Sequence, residues 1–360
     1  MSRWPIAVEF KEDESLSSWL IRSALSLGCD PIVLTGWLWP KWRAWTFDLD
    51  RGLNTDKISE LVKCSELNRS MFEAASLLSS ASKFSARDLP RHGVWPWIQA
   101  LGARNRLYRG GTQYCPLCFD CDLTPYFRKH WRFSWVTACH KHAVQMIDRC
   151  PGCHMPIESH RLQALDTAVL SQCPSCCFDY RSSPILPATT ETTEFQRTAL
   201  MVKNDGGVTI CGSVVSTHEW FDLCKHLLLL IRRSVYLPKS TLAIAIRDSC
   251  PGAPIISSDN LILQLELLNV GARTDLLASL HHLLNNLEAF SKNLESAGAL
   301  STCLVDKGGR IPISLHFLFD ALIKPDPRIY GSRILRPTKA KSKGTVMKSW
   351  VRLKRKYRLE

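Results

Sequence analysis

Four short pairs of metal-capable side chains constrain this chain more than any other feature. They are Cys115-Pro-Leu-Cys118, Cys139-His-Lys-His142, Cys150-Pro-Gly-Cys153 and Cys173-Pro-Ser-Cys176. A tight turn between two such donors aims both at one point, and zinc takes four nitrogen or sulfur donors in a tetrahedron. Two pairs complete one site, so four pairs complete two. Twenty residues separate Cys118 from Cys139, and nineteen separate Cys153 from Cys173. Both gaps sit at or near the roughly 15–20 residues of a paired-cysteine zinc site. The expected ligands are therefore Cys115, Cys118, Cys139 and His142 for one ion, and Cys150, Cys153, Cys173 and Cys176 for the other. Sharing of one ion by the first and third pairs is the alternative, and Cys121, His140, His154 and Cys177 compete locally. Cys29, Cys64, Cys211, Cys224, Cys250 and Cys303 have no such neighbours and read as core thiols.

The compartment agrees with metal rather than disulfides. The opening MSRWPIAVEFKEDES lacks a secretion signal and turns acidic at once. Apolar runs such as Leu227–Ile231 fall far short of the ~20 residues a bilayer needs. A cytoplasmic location follows, and fifteen cysteines in a reducing compartment serve better as ligands and buried thiols. Sites closed by four protein donors leave no position for a reacting water. No metalloprotease helix, P-loop or nucleophile elbow is present, and His218-Glu219 lacks a second His four residues on. No catalytic residue is assigned, and the chain reads as a non-enzyme.

The expected fold is mainly α with small zinc-ribbon β elements. Leu16, Trp19, Leu20, Ala24 and Leu27 follow helical spacing over 15–27, with Asp13 as cap and Gly28 as stop. Pro31 opens a short helix toward Trp37 and Trp39. Thr55 would cap a helix through Val62, and Leu67–Leu78 would form another, joined by Lys63-Cys64-Ser65-Glu66 as a helix-turn-helix. In the middle region Phe127, Trp131, Phe133 and Trp135 fall on one parity and Arg128, His130 and Arg132 on the other, which predicts a ribbon strand. The polar stretch 182–205 reads as a linker. Helices are expected over 219–236, 261–268, 275–294 and 312–322. The expected domains are an N-terminal helical domain 1–110, tandem zinc ribbons 111–184, a C-terminal helical domain 206–330 and a basic tail 331–360.

Charge is concentrated in that tail. From Arg333 onward there are eleven Lys/Arg against Glu360 alone, which accounts for +10 of the net +13. Such a run is the footprint of a polyanionic partner, with Trp350 and Tyr357 available to stack on bases. The candidate phosphate contacts are Lys339, Lys341, Lys343, Lys348, Arg352, Lys354, Arg355, Lys356 and Arg358.

Several separated motifs resemble one family. Asp13-Glu14-Ser15-Leu16-Ser17-Ser18-Trp19-Leu20-Ile21-Arg22 is similar to the opening E-S-L-x-S-W-L-x-R of TniQ/TnsD transposition proteins. Tyr114-Cys115-Pro-Leu-Cys118, Trp131-Arg132, Cys139-His-Lys-His142 and Cys150-Pro-Gly-Cys153 follow in that family's order. The resemblance implies a target-selection protein with an N-terminal helix-turn-helix, zinc ribbons and a C-terminal helical domain. It implies an AAA+ regulator (TnsC-like) as partner, and either an RNA-guided Cascade complex or target DNA as the thing recognised. Members of the length seen here resemble the Cascade-riding adaptors, often dimeric. The resemblance places the chain in the bacterial cytoplasm, at the nucleoid when DNA is bound. Direct reading of an attachment site, with Asn68 or Arg69 in a groove, is the alternative.

Overall fold

The computed structural model describes residues 3–101, 112–165, 169–210, 212–257, 263–325 and 342–357. The fold is mostly helical, and its one ladder among these residues is a two-stranded hairpin. No described helix is long and apolar enough to cross a membrane.

The N-terminal third packs α1 (Leu16–Ser26), α2 (Pro31–Leu38), α3 (Thr55–Ser65) and α4 (Arg69–Ala74) around Trp19. The Trp19 ring lies 4.9 Å from Phe10 and 5.2 Å from Phe72. Its indole N–H donates to Val8 O at 2.8 Å. Ser15, not Asp13, caps α1 by accepting from Ser18 N. Asp13 is left-handed at φ +53° and is held by His130 instead. Asn54, not Thr55, caps α3, because its side chain reaches Lys57 N while Thr55 already lies inside the helix.

The helix expected over 67–78 is broken. The chain turns through Glu66 at φ +60° and reaches α4, which stops at Ala74; α5 (Leu78–Ala81) follows. Leu77 N donates to Asp50 O rather than to its own helix. A tertiary hydrogen bond therefore overrides local periodicity here. The helix pair α3–α4 exists, with its turn at 66–68 rather than at 63–66.

The expected ribbon strand over 127–135 is absent. A 3-10 turn occupies Lys129–Arg132, flanked by isolated bridges of Arg128 to Glu14 and Phe133 to Ile98. Both parities are buried: Trp131, Phe133 and Trp135 on one, Arg128 and Arg132 on the other. Arg128 pairs with Asp122 at 2.8 Å, and Arg132 with Asp48 and Asp50 at 2.7 Å each. The charged side chains alternate because they pair with acids, Asp50 buried and Asp48 and Asp122 half-buried, not because one face is wet.

The stretch expected as a linker holds a helix, α7 (Thr190–Asp205). Thr189 caps it and Gly206, left-handed, ends it. Phe195, Ala199 and Val202 bury its inner face. Strands β1 (Gly207–Ile210) and β2 (Ser213–Ser216) pair antiparallel and lead into α8 (Thr217–Tyr236). The Ser216–Glu219 capping box starts α8, and its run Leu227–Ile231 is buried almost all round. After α9 (Thr241–Ser249) only a 3-10 turn, Leu265–Leu267, appears where a helix was expected, and residues 261–262 lie outside the described residues. The helix expected over 275–294 is two, α10 (Val270–Asn285) and α11 (Leu287–Ser296), split at Asn286. A 3-10 turn and α12 (His316–Ala321) close the body, and α13 (Lys343–Tyr357) stands in the basic tail.

One contiguous buried cluster runs from Ile21 through the cysteine region to Leu322. Phe221 of α8 is central to it, with Phe84 at 4.6 Å and Trp97 at 5.3 Å. Arg273 of α10 is fully buried. It donates to Ser134 O, Val136 O, Leu268 O and Gln113 Oε1. Burial pushes this guanidinium down to about 10, with Asp148 acting the other way. The side chain ties α10 to the segment entering the first cysteine cluster.

Candidate metal centre

Helix α6 (Pro116–Cys121) carries the first cysteine pair. Cys115 is its N-cap and Pro116 its first residue, where a fixed φ suits a helical start. Phe119 N closes the turn onto Cys115 O at 3.2 Å, so both sulfurs of the pair sit on one helical turn.

The other three pairs share a different turn. The N–H of each first cysteine donates to the carbonyl five residues on: Cys139 to Val144 at 2.8 Å, Cys150 to Met155 at 3.0 Å, Cys173 to Phe178 at 2.9 Å. The N–H four residues on donates back: Ala143 to Cys139 O, His154 to Cys150 O, Cys177 to Cys173 O. These closing residues are left-handed, with φ of +51°, +59° and +60°. A single bridge flanks each turn, Ala138–Gln145, Arg149–Pro156 and Gln172–Asp179. The β content of the ribbons thus shrinks to one bridged pair per knuckle. Gly152 permits a close approach in the third pair, where an added Cβ would meet Phe178 at 3.2 Å and Cys176 Sγ at 3.4 Å.

These turns gather the donors four and four. Cys115, Cys118, Cys139 and His142 have their ligand atoms within 4.8 Å of one another, as do Cys150, Cys153, Cys173 and Cys176. His142 Nδ1 lies 3.5 Å from Cys115 Sγ, 3.4 Å from Cys118 Sγ and 3.5 Å from Cys139 Sγ. In the second group Cys150 to Cys176 is 3.6 Å and Cys153 to Cys173 is 3.7 Å. A tetrahedron with arms of ~2.3 Å to sulfur and ~2.0 Å to nitrogen has edges of roughly 3.5–3.8 Å. Both groups have that size and could hold a metal ion. Pairing runs first with second and third with fourth, so the interleaved alternative is not what forms.

The competing donors stand outside both groups. His154 and Cys177 occupy the left-handed closing positions and are exposed. His140 packs its ring against His130 at 5.1 Å. Cys121 is exposed, 3.9 Å from His142 Nε2, the nitrogen turned away from the cluster. Cys64, Cys224 and Cys250 are buried core thiols, Cys29 and Cys303 are half-buried, and Cys211 lies outside the described residues.

The remaining motif residues hold the platform. Glu14 is buried, and it accepts from Arg22 Nε at 2.7 Å, Arg22 Nη2 at 2.6 Å and Ser18 Oγ at 2.8 Å. Ser18 Oγ in turn accepts from Phe127 N, which links α1 to the cysteine region. Arg132 is raised further above its ordinary range, because Asp48 and Asp50 outweigh burial. Among the basic candidates, Lys343, Lys348, Arg352 and Lys354 stand on α13, and the backbone of that helix includes Arg355 and Lys356. Lys339, Lys341 and Arg358 lie outside the described residues. The apolar residues Val346, Trp350 and Leu353 on α13 are exposed. Sequence reasoning missed the closing residues Ala143, His154 and Cys177, although each follows its first cysteine by four. It also missed Arg273, which no local pattern marks.

The fold and the two clusters define a helical protein built around two groups of paired donors that could hold metal. Residues 5–146 match the model of the TniQ family. This is the transposition target-selection family that the sequence motifs resemble. No curated protein matches the chain. The matched span includes every donor of the first cluster and ends before the second.

Proposed function

We propose that this chain is a non-catalytic adaptor of transposition that links a target-recognition complex to an AAA+ regulator. The match to the TniQ family, with donors closed four and four around a buried frame, is the observation that carries the reading. Both clusters hold zinc in this reading, since three thiolates with one imidazole, or four thiolates, are structural zinc sets. The ions supply rigidity and no reaction. The layout is an N-terminal helical domain 1–110, ribbons 111–184, a helical domain 206–330 and a tail 331–360 whose basic side chains meet phosphates. The recognition complex is an RNA-guided Cascade, engaged by a homodimer.

The test is reconstitution. The purified full-length chain should co-elute with Cascade and its guide RNA, and should then recruit the AAA+ regulator. A footprint on naked duplex DNA without any partner, together with no Cascade binding, would overturn the adaptor reading in favour of direct site recognition. In that case α3–α4, with Asn68 and Arg69 at the start of α4, is the unit to mutate.

A further inference from the structure

Away from both the clusters and the tail, three lysines from distant parts of the sequence converge on one face. Lys203 lies in the last turn of α7, its ammonium 5.9 Å from the centroid of the Phe133 ring. Phe133 meets Phe84 edge-on at 5.3 Å, and Lys83 is the residue before Phe84. Lys129 sits on the 3-10 turn just before Phe133 and donates to Ala74 O at 2.6 Å. His130 extends this face to His140, and Lys141 follows His140.

The charges are poorly balanced. Burial first, then the positive charges of Lys83 and Lys129, holds the Lys203 amine below its ordinary range. Asp13 is the carboxylate that acts against this. It lies 4.0 Å from Lys129 Nζ, and its other oxygen accepts from the His130 backbone and ring. Among the described residues neither Lys83 nor Lys203 has an ion-pair partner. A folded surface gains nothing from holding like charges together. The repulsion is relieved when a polyanion lies across them and releases its counterions. Lysines are point charges suited to phosphate without geometric selection.

We propose that Lys83, Lys129 and Lys203 form a second phosphate-backbone surface, on the folded body, that positions a nucleic-acid duplex without reading its sequence. The inference rests on the transposition reading above but not on the basic tail. The phosphodiester chemistry is common to DNA and RNA, so the test carries both.

Full-length protein is titrated with a fluorescent random-sequence DNA duplex, and separately with an RNA duplex, over a range of salt. K83Q/K203Q should flatten the log affinity against log salt slope by about 2, at roughly 0.9 for each phosphate no longer neutralised. The size of the change in each arm tells which duplex the face prefers. K239Q/K307Q removes the same charge elsewhere and should leave the slope nearly unchanged. An equal flattening by that control, or no flattening by K83Q/K203Q with either duplex, overturns the proposal. If the double variant does not fold, K83Q alone must still flatten the slope by about 1. A slope that responds to K348Q/R352Q/K354Q but not to K83Q/K203Q sinks this surface and leaves the tail. Failure of the native chain to bind either duplex sinks both.

Discussion

Two clusters built on the same donor spacing sit in different surroundings. In the first, Cys115, Cys118 and Cys139 are buried and His142 is half-buried; in the second, Cys150 and Cys173 are buried but Cys153 is half-exposed and Cys176 exposed. The first adjoins Tyr114 and Phe119, which stack at 5.4 Å, and Phe119 leads on to Trp131 at 5.8 Å. The second touches that core through Tyr180, 4.6 Å from Tyr114. The family match contains the first and stops before the second. Donor spacing decides that a site forms. Embedding decides how much of the fold depends on it.

The largest effect should come from breaking the buried member. Metal bound by a structural zinc site contributes about 10–16 kcal/mol in small zinc domains, as much as the total stability of about 5–15 kcal/mol of an ordinary domain. Cys139→Ser should therefore abolish the cooperative thermal transition. Cys176→Ser, at an exposed corner where water can complete the coordination, should keep a cooperative melt with Tm lowered by several degrees. Thermal melts and metal-per-chain measurements on both variants check this, and equal losses would erase the distinction between the clusters.

Arg273→Met should come next. It removes the donor from Ser134 O, Leu268 O and Gln113 Oε1 beside the first cluster, while Val136 O keeps its bond from Gln113 Nε2. Unsatisfied buried acceptors cost about 1–3 kcal/mol each, so a destabilisation of at least ~3 kcal/mol is expected in urea unfolding. The same variant should speed chelator-driven metal release from the first cluster only. In the native chain, release followed with a colorimetric chelator should be biphasic, one equivalent fast from the second cluster and one slow. A single phase of two equivalents would show that exposure at Cys153 and Cys176 does not control access.

The sequence made the eight donors legible because chelation by two-residue-spaced pairs is a local geometric requirement. Helix α1 was legible because its apolar face repeats at helical spacing, α2 because Pro31 marks its start, and α8 because its run Leu227–Ile231 is apolar all round. What failed did so where distant contacts intervene. Leu77 N goes to Asp50 O, so a helix breaks that periodicity alone would continue. Arg128 and Arg132 find acids far away in the chain or in a preceding turn, so polar alternation imitates a half-wet strand. The stretch 190–205 looks like a linker because Thr and Glu outnumber Phe195, Ala199 and Val202 in its sequence, and only burial shows that those three suffice. The convergence of Lys83, Lys129 and Lys203 has no sequence signal, since each is unremarkable among its neighbours.

The smallest expected effect isolates the turn from its surroundings. Ala143 in the first cluster and Cys177 in the second close the same knuckle at φ +51° and +60°. A non-glycine residue held left-handed costs about 1–2 kcal/mol, which glycine avoids. Glycine also loses more backbone entropy on folding, so the net gain from Cys177→Gly should be about 0.5–1 kcal/mol. Metal content should stay at its native value, because Cys177 is not among the gathered donors. If the turn alone sets this term, Ala143→Gly gains as much as Cys177→Gly. A gain at Cys177 with none at Ala143 would show that the packed core around the first cluster already fixes the backbone, and that embedding reaches down to single dihedral angles.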